Sequence, residues 1–126
     1  MSEKIDFVWE DSGCVLTIKG RIEKADMREL AVPTHHDERG SRAKYVVVDL
    51  LEADYSRISH RDISLVITHS LATSFQNPGL RIAVVATDPR VVEMSEYYRS
   101  SMVQLDVSWE MRIFQTMEDA RAWIAG

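Results

Sequence analysis

The chain reads as an α/β protein: a mixed β-sheet with an N-terminal β-hairpin and flanking helices, in the order β-β-α-β-α-β-α-β-α. Three observations predict this. Two apolar runs, 45–51 and 80–86, lack strict alternation, as strands covered on both faces do. Each run is followed by a polar turn and a helical pattern. Ahead of them, alternating apolar residues on either side of Asp11-Ser12-Gly13 mark a hairpin.

Ile5, Phe7 and Trp9 form one face of the first strand, and Cys14, Leu16 and Ile18 resume the period of two after the turn. Asp26 is placed to cap a first helix running to about Asp37, with Pro33 kinking or restarting it and Gly40 ending it. After the first buried strand, Ser59 caps a second helix, and Asp62 completes an approximate capping box. Its core stripe is Ile63, Val66, Ile67, Leu71 and Phe75, and Asn77-Pro78-Gly79 stops it. Asp88-Pro89 supplies the N-cap and first position of a third helix, with Val91, Met94, Tyr98, Met102 and Leu105 inward. Residues 109–114 form the last strand. Thr116 with Asp119 caps a closing helix whose Met117, Ala120, Trp123 and Ile124 share a face, with Trp123 as its substantially buried anchor.

The 126 residues, 45% hydrophobic and 28% charged, fit one domain spanning the whole chain. A net charge of −5 argues against a nucleic-acid partner, which needs clustered Lys and Arg. The chain holds no apolar stretch of about 18 residues, so no membrane span is expected. Its polar start, Met1-Ser2-Glu3-Lys4, lacks a signal-peptide core. The single cysteine, Cys14, rules out an internal disulfide, fits a reducing cytoplasm, and reads as a small buried hydrophobe.

Catalytic and cofactor chemistries fail one by one. A dinucleotide site or P-loop needs clustered glycines, whereas glycines 13, 20, 40, 79 and 126 are scattered. A Gly-x-Ser-x-Gly nucleophile elbow does not occur. His35 and His36 point to different sides of any helix, and His60 and His69 lie half a turn out of phase, so no metal set is expected. A phosphoacceptor receiver domain is weighed because Asp49 and Thr87 end strands, but no acidic pair follows the first strand and no lysine follows the last. No cofactor is expected.

The hairpin, then Gly20-Arg21-Ile22-Glu23-Lys24-Ala25-Asp26, then Val46-Val47-Val48-Asp49-Leu50, resembles the STAS family of anti-sigma-factor antagonists. Within it the chain is most similar to the SpoIIAA-like (STAS/SEC14-like) branch, which residues 81–86 and 111–124 also fit. The resemblance implies a mixed sheet flanked by helices, no catalysis, and a role in binding or regulation. Regulatory members carry Asp-Ser-Ser-Gly entering the second helix, where a kinase phosphorylates the first serine. At that spacing from Asp49 this chain has Arg57-Ile58-Ser59-His60. The phosphoacceptor position is therefore Ile58, and the phosphoserine switch is not intact. Ser59, by a one-residue slip, and Ser56 are the remaining phosphorylation candidates, although Ser59 also reads as a plain N-cap.

Two surface features stand out. Leu65, His69 and Ala72 form a second stripe on the second helix, either the edge of its core face or an interaction surface. Tyr97 lies off the core stripe of the third helix, beside Arg90, Glu93 and Gln104. The expected function is a binding or regulatory module for a protein partner, a second copy of itself, or a small apolar ligand. The alternative is a ligand-binding or enzymatic domain using the edge formed by Asp49, Ser59 and Asp88.

Overall fold

A computed structural model describes residues 3–31 and 42–126. In chain order it contains β1 (Ile5–Trp9), β2 (Gly13–Arg21), α1 (Asp26–Ala31), β3 (Tyr45–Asp54), α2 (His60–Ser74), β4 (Arg81–Val85), α3 (Pro89–Gln104), β5 (Glu110–Phe114) and α4 (Met117–Ala125). This is the expected order. The strands lie side by side as β1-β2-β3-β4-β5. The β1–β2 pair is antiparallel and the other three pairs are parallel. Each parallel crossover therefore steps one strand in the same direction, which lays α1, α2 and α3 on one face of the sheet.

Two cores result. On the three-helix face, Leu16, Val46, Ile82 and Val84 of the sheet meet Met27 of α1, Ile63 and Ile67 of α2, and Val91, Met94 and Met102 of α3. On the other face, Val47, Ala83 and Val85 pack with Ala120 of α4, bordered by Met117, Trp123 and Ile124. Strand β4 is thus buried on both faces from Ile82 to Val85, as its unbroken apolar run predicts. Strand β3 is double-sided only over its first half; Leu51 is 41% exposed. The pairing register shifts opposite Thr17 and Lys19, and β3 continues to Asp54 beside Arg21.

Local chemistry sets the ends of the elements. Ser59 and Asp62 form a reciprocal capping box on α2, Asp88 caps α3 with Pro89 at its start, and the Thr116 side chain accepts from Asp119 N–H on α4. Arg81 reaches across from β4 to donate to the carbonyls of Trp123 and Ile124. Its guanidinium also sits 4.0 Å from the Trp123 ring centroid, so one cation both satisfies the negative end of α4 and stacks on its largest side chain. Among the described residues, no helix is long and apolar enough to cross a membrane.

Several expectations need correction. Gly13 belongs to β2, not to the turn, which is closed by Glu10 N–H donating to Gly13 carbonyl at 2.7 Å. A Cβ on Gly13 would stand 2.4 Å from the Tyr45 carbonyl oxygen, so only glycine allows β2 to approach β3 there. Asp26 is not an N-cap. Its carboxylate accepts from the Glu23 N–H at 2.7 Å and pairs with Lys4, the back-bonding role that follows a cap by three residues. The expected continuation of that helix to Asp37, with Pro33 and Gly40, lies outside the described residues. Phe75 is 82% exposed and Leu105 47% exposed, because each is the C-cap of its helix and overshoots the core. Trp109 precedes β5 and donates its indole N–H to Asn77 carbonyl at 2.6 Å. Trp123 keeps the anchoring place expected of it, mostly buried against the α4 core and packed at a tilt on Phe114.

Candidate ligand-binding site

The main core does not close. Between the sheet and helices α1–α3 lies a cavity of about 160 Å³. Its sheet wall is Leu16, Val46, Val48, Ile82 and Val84; its helical wall includes Met27, Leu30, Ile63, Val66 and Met94. These are the inward positions of strands at period two and of helices at about 3.6, so the wall is apolar by the same patterning that forms the fold.

A few polar side chains interrupt that wall: Tyr55, His69, Ser70, Thr73, Ser95 and Tyr98. Ser70 Oγ and the Tyr98 hydroxyl share a 2.6 Å hydrogen bond. Burial pushes the Tyr98 phenol up to about 12, partly opposed by that hydrogen bond. The Thr73 hydroxyl donates to His69 carbonyl at 3.0 Å. Ser95 and Tyr55, each 6% exposed, have hydroxyls without a protein hydrogen-bond partner among the described residues. Tyr55 follows directly on β3. Burial alone pushes its phenol up. Among the described residues, neither lysine nor arginine lines the cavity.

The α2 N-terminus holds the positions that the sequence resemblance sets against a phosphoserine motif. Ile58 is 1% exposed and part of the main core, and its carbonyl accepts from Arg90 at 2.6 Å. Ser59 is exposed, but its N–H and hydroxyl both donate to Asp62 Oδ2, at 2.9 and 3.1 Å. Ser56 is exposed and its N–H donates to Asp54 at 2.8 Å. A phosphoryl group on either serine would stand beside a carboxylate, an unfavourable electrostatic setting. The Asp49, Ser59 and Asp88 side chains each serve nearby backbone: Asp49 accepts from Leu51 N–H, Ser59 caps α2, and Asp88 caps α3.

The surface candidates divide. Leu65 and Ala72 are exposed on α2, whereas His69 is half-buried and lines the cavity. Tyr97 bridges helices within the molecule. It stacks on His60 with centroids 4.3 Å apart at 20°, and its hydroxyl lies 3.4 Å from Ser64 Oγ. Sequence patterning placed Tyr98 correctly inward but did not assemble it with Tyr55 and Ser70. The available signal was a phenol inside an apolar stripe, which must find a partner or a ligand.

A leading hairpin on a sequentially ordered sheet, with three helices on one face and one on the other, is the architecture expected of a STAS-type domain. The SpoIIAA-like family model matches residues 14–125, and the chain belongs to that family. STAS-like domains of this kind are commonly regulatory or binding modules. No curated protein matches this sequence.

Proposed function

We propose that the chain is a non-catalytic STAS-type binding module that takes a small apolar molecule into the cavity beneath α1–α3 and has no working phosphoserine switch. The cavity carries this reading. Protein interiors hold few voids larger than a water molecule, and this one is about 160 Å³ with a mostly apolar wall. The pocket is partly open to solvent, so an apolar molecule entering it releases water from an apolar wall, which favours binding. The outer face of α2, where Leu65 is 41% exposed, is the surface offered to a protein partner or a second copy.

The test is a titration with toluene followed by methyl NMR. Resonances of Ile63, Val66, Ile82 and Val84 should move and saturate, while Val47 and Val85 across the sheet stay in place. No movement at saturating toluene would refute the reading.

A further inference from the structure

We infer that the occupant of this cavity is a neutral molecule about one ring in size that carries a hydrogen-bond acceptor, and that Tyr55 holds that acceptor. The inference rests on the apolar-ligand reading above and narrows it in three respects.

Size comes first. An apolar cavity of about 150 Å³ accommodates a single benzene ring, and the volume here is about 160 Å³. A ring with one short substituent matches it, whereas a long acyl chain would have to project out of it. Charge comes second. A carboxylate taken into an apolar space needs a cation beside it; among the described residues the wall holds one histidine, His69, and neither lysine nor arginine. A neutral ligand meets no such penalty.

The third respect is hydrogen bonding. A hydroxyl in an apolar wall takes a partner from the protein, from water or from a ligand. Tyr55 lines the cavity at 6% exposure with no partner for its hydroxyl among the described residues. Its raised pKa keeps it a protonated donor at neutral pH. Ser70 and Tyr98 already bond to each other, which leaves the Tyr55 and Ser95 hydroxyls as cavity donors without a protein partner among the described residues; the phenol, being the more acidic O–H, is the stronger donor of the two. A carbonyl, ether or hydroxyl oxygen on the ligand would accept from it.

The experiment compares three probes, toluene, acetophenone and benzoate, on wild type and on Tyr55→Phe, using the same methyl titration. Wild type should bind toluene and acetophenone, with benzoate at least roughly tenfold weaker than acetophenone at neutral pH. Tyr55→Phe should weaken acetophenone by roughly two- to tenfold, the worth of one neutral hydrogen bond, and leave toluene within about twofold. The variant gives up an unpartnered hydroxyl, so its urea midpoint should hold or rise. A second check is the carbonyl stretch of isotope-labelled acetophenone, which should lie lower when bound to wild type than when bound to Tyr55→Phe. If toluene binds wild type but Tyr55→Phe changes both probes equally, or the bound stretch is the same in both proteins, the Tyr55 assignment is overturned and the apolar cavity stands. Tighter binding of benzoate than acetophenone overturns neutrality. If no probe binds, the apolar-ligand reading itself fails.

Discussion

Helix α4 is tied to the hairpin by one carboxylate, and that tie makes a stability prediction with a defined pH window. Arg121 donates two hydrogen bonds of 2.7 Å, one to each oxygen of Glu10, and the Tyr45 hydroxyl donates to Oε1. The Arg121 hydrogen bond first, then that from Tyr45, lowers the Glu10 pKa from 4.5 to about 2. At full value a fall of that size corresponds to about 3.4 kcal/mol. The side chains of Arg121 and Glu10 remain 42% and 30% exposed, so solvent screening reduces the figure to about 1–2 kcal/mol.

Because the folded pKa lies below the unfolded one, this contribution is fully present above about pH 4.5 and disappears as pH falls through about 2. The perturbation is Glu10→Gln, compared with wild type by urea unfolding at steps from about pH 7 to about pH 2. The difference should be about 1–2 kcal/mol and flat down to about pH 5, then shrink towards zero in acid. Asp26 is also held below the usual carboxylate range, chiefly by the Glu23 N–H, but it titrates in both proteins and cancels in the difference. A difference below about 0.3 kcal/mol at neutral pH, or one that survives undiminished in acid, would show that the Arg121 clamp does not stabilise the closing helix in this way.

Ser59→Ala removes the α2 capping box and should cost about 1 kcal/mol by chemical denaturation; a change under about 0.2 kcal/mol would show the cap to be dispensable. Protein isolated from its host should carry no stoichiometric phosphate on Ser59 or Ser56 by intact-mass and peptide analysis, since both stand against a carboxylate; full occupancy at Ser59 would restore a phosphoswitch. Leu65→Glu should shift stability by less than about 0.5 kcal/mol, as an exposed position does. The same variant should abolish any self-association or partner capture seen with wild type; retention of both would move the docking surface elsewhere.

The fold was legible wherever the signal was local. The Ser59/Asp62 box, the Asp88-Pro89 start and the Thr116 cap each lie within four residues of chain and stand where the pattern placed them. The errors share a cause: a local pattern continues past the point where the tertiary partner ends. The α2 stripe extends by period to Phe75, and the α3 stripe to Leu105, yet both lie at C-caps beyond the sheet. Gly13 looked like a turn residue because glycine is common in turns. Its actual constraint is the Tyr45 carbonyl, which belongs to a strand 32 residues further along the chain.

The site was far less legible, for a reason of the same kind. A cavity is a volume mismatch among elements distant in sequence, and no window of residues encodes it. Tyr98 was read correctly as inward, but its partner Ser70 is on a different helix, 28 residues away. Tyr55 lay in a stretch read only as the lead-in to α2, and nothing nearby marks its hydroxyl as unmet. Periodicity reports which way a side chain faces, whereas function here depends on what that side chain fails to touch. That failure is visible only once β3 has delivered Tyr55 to the edge of a core that three helices do not quite fill. A largely buried phenol lacking a protein partner beside an apolar pocket is therefore more informative than the surface stripe on α2. It names both the place to look for a ligand and the chemical group that the ligand should carry.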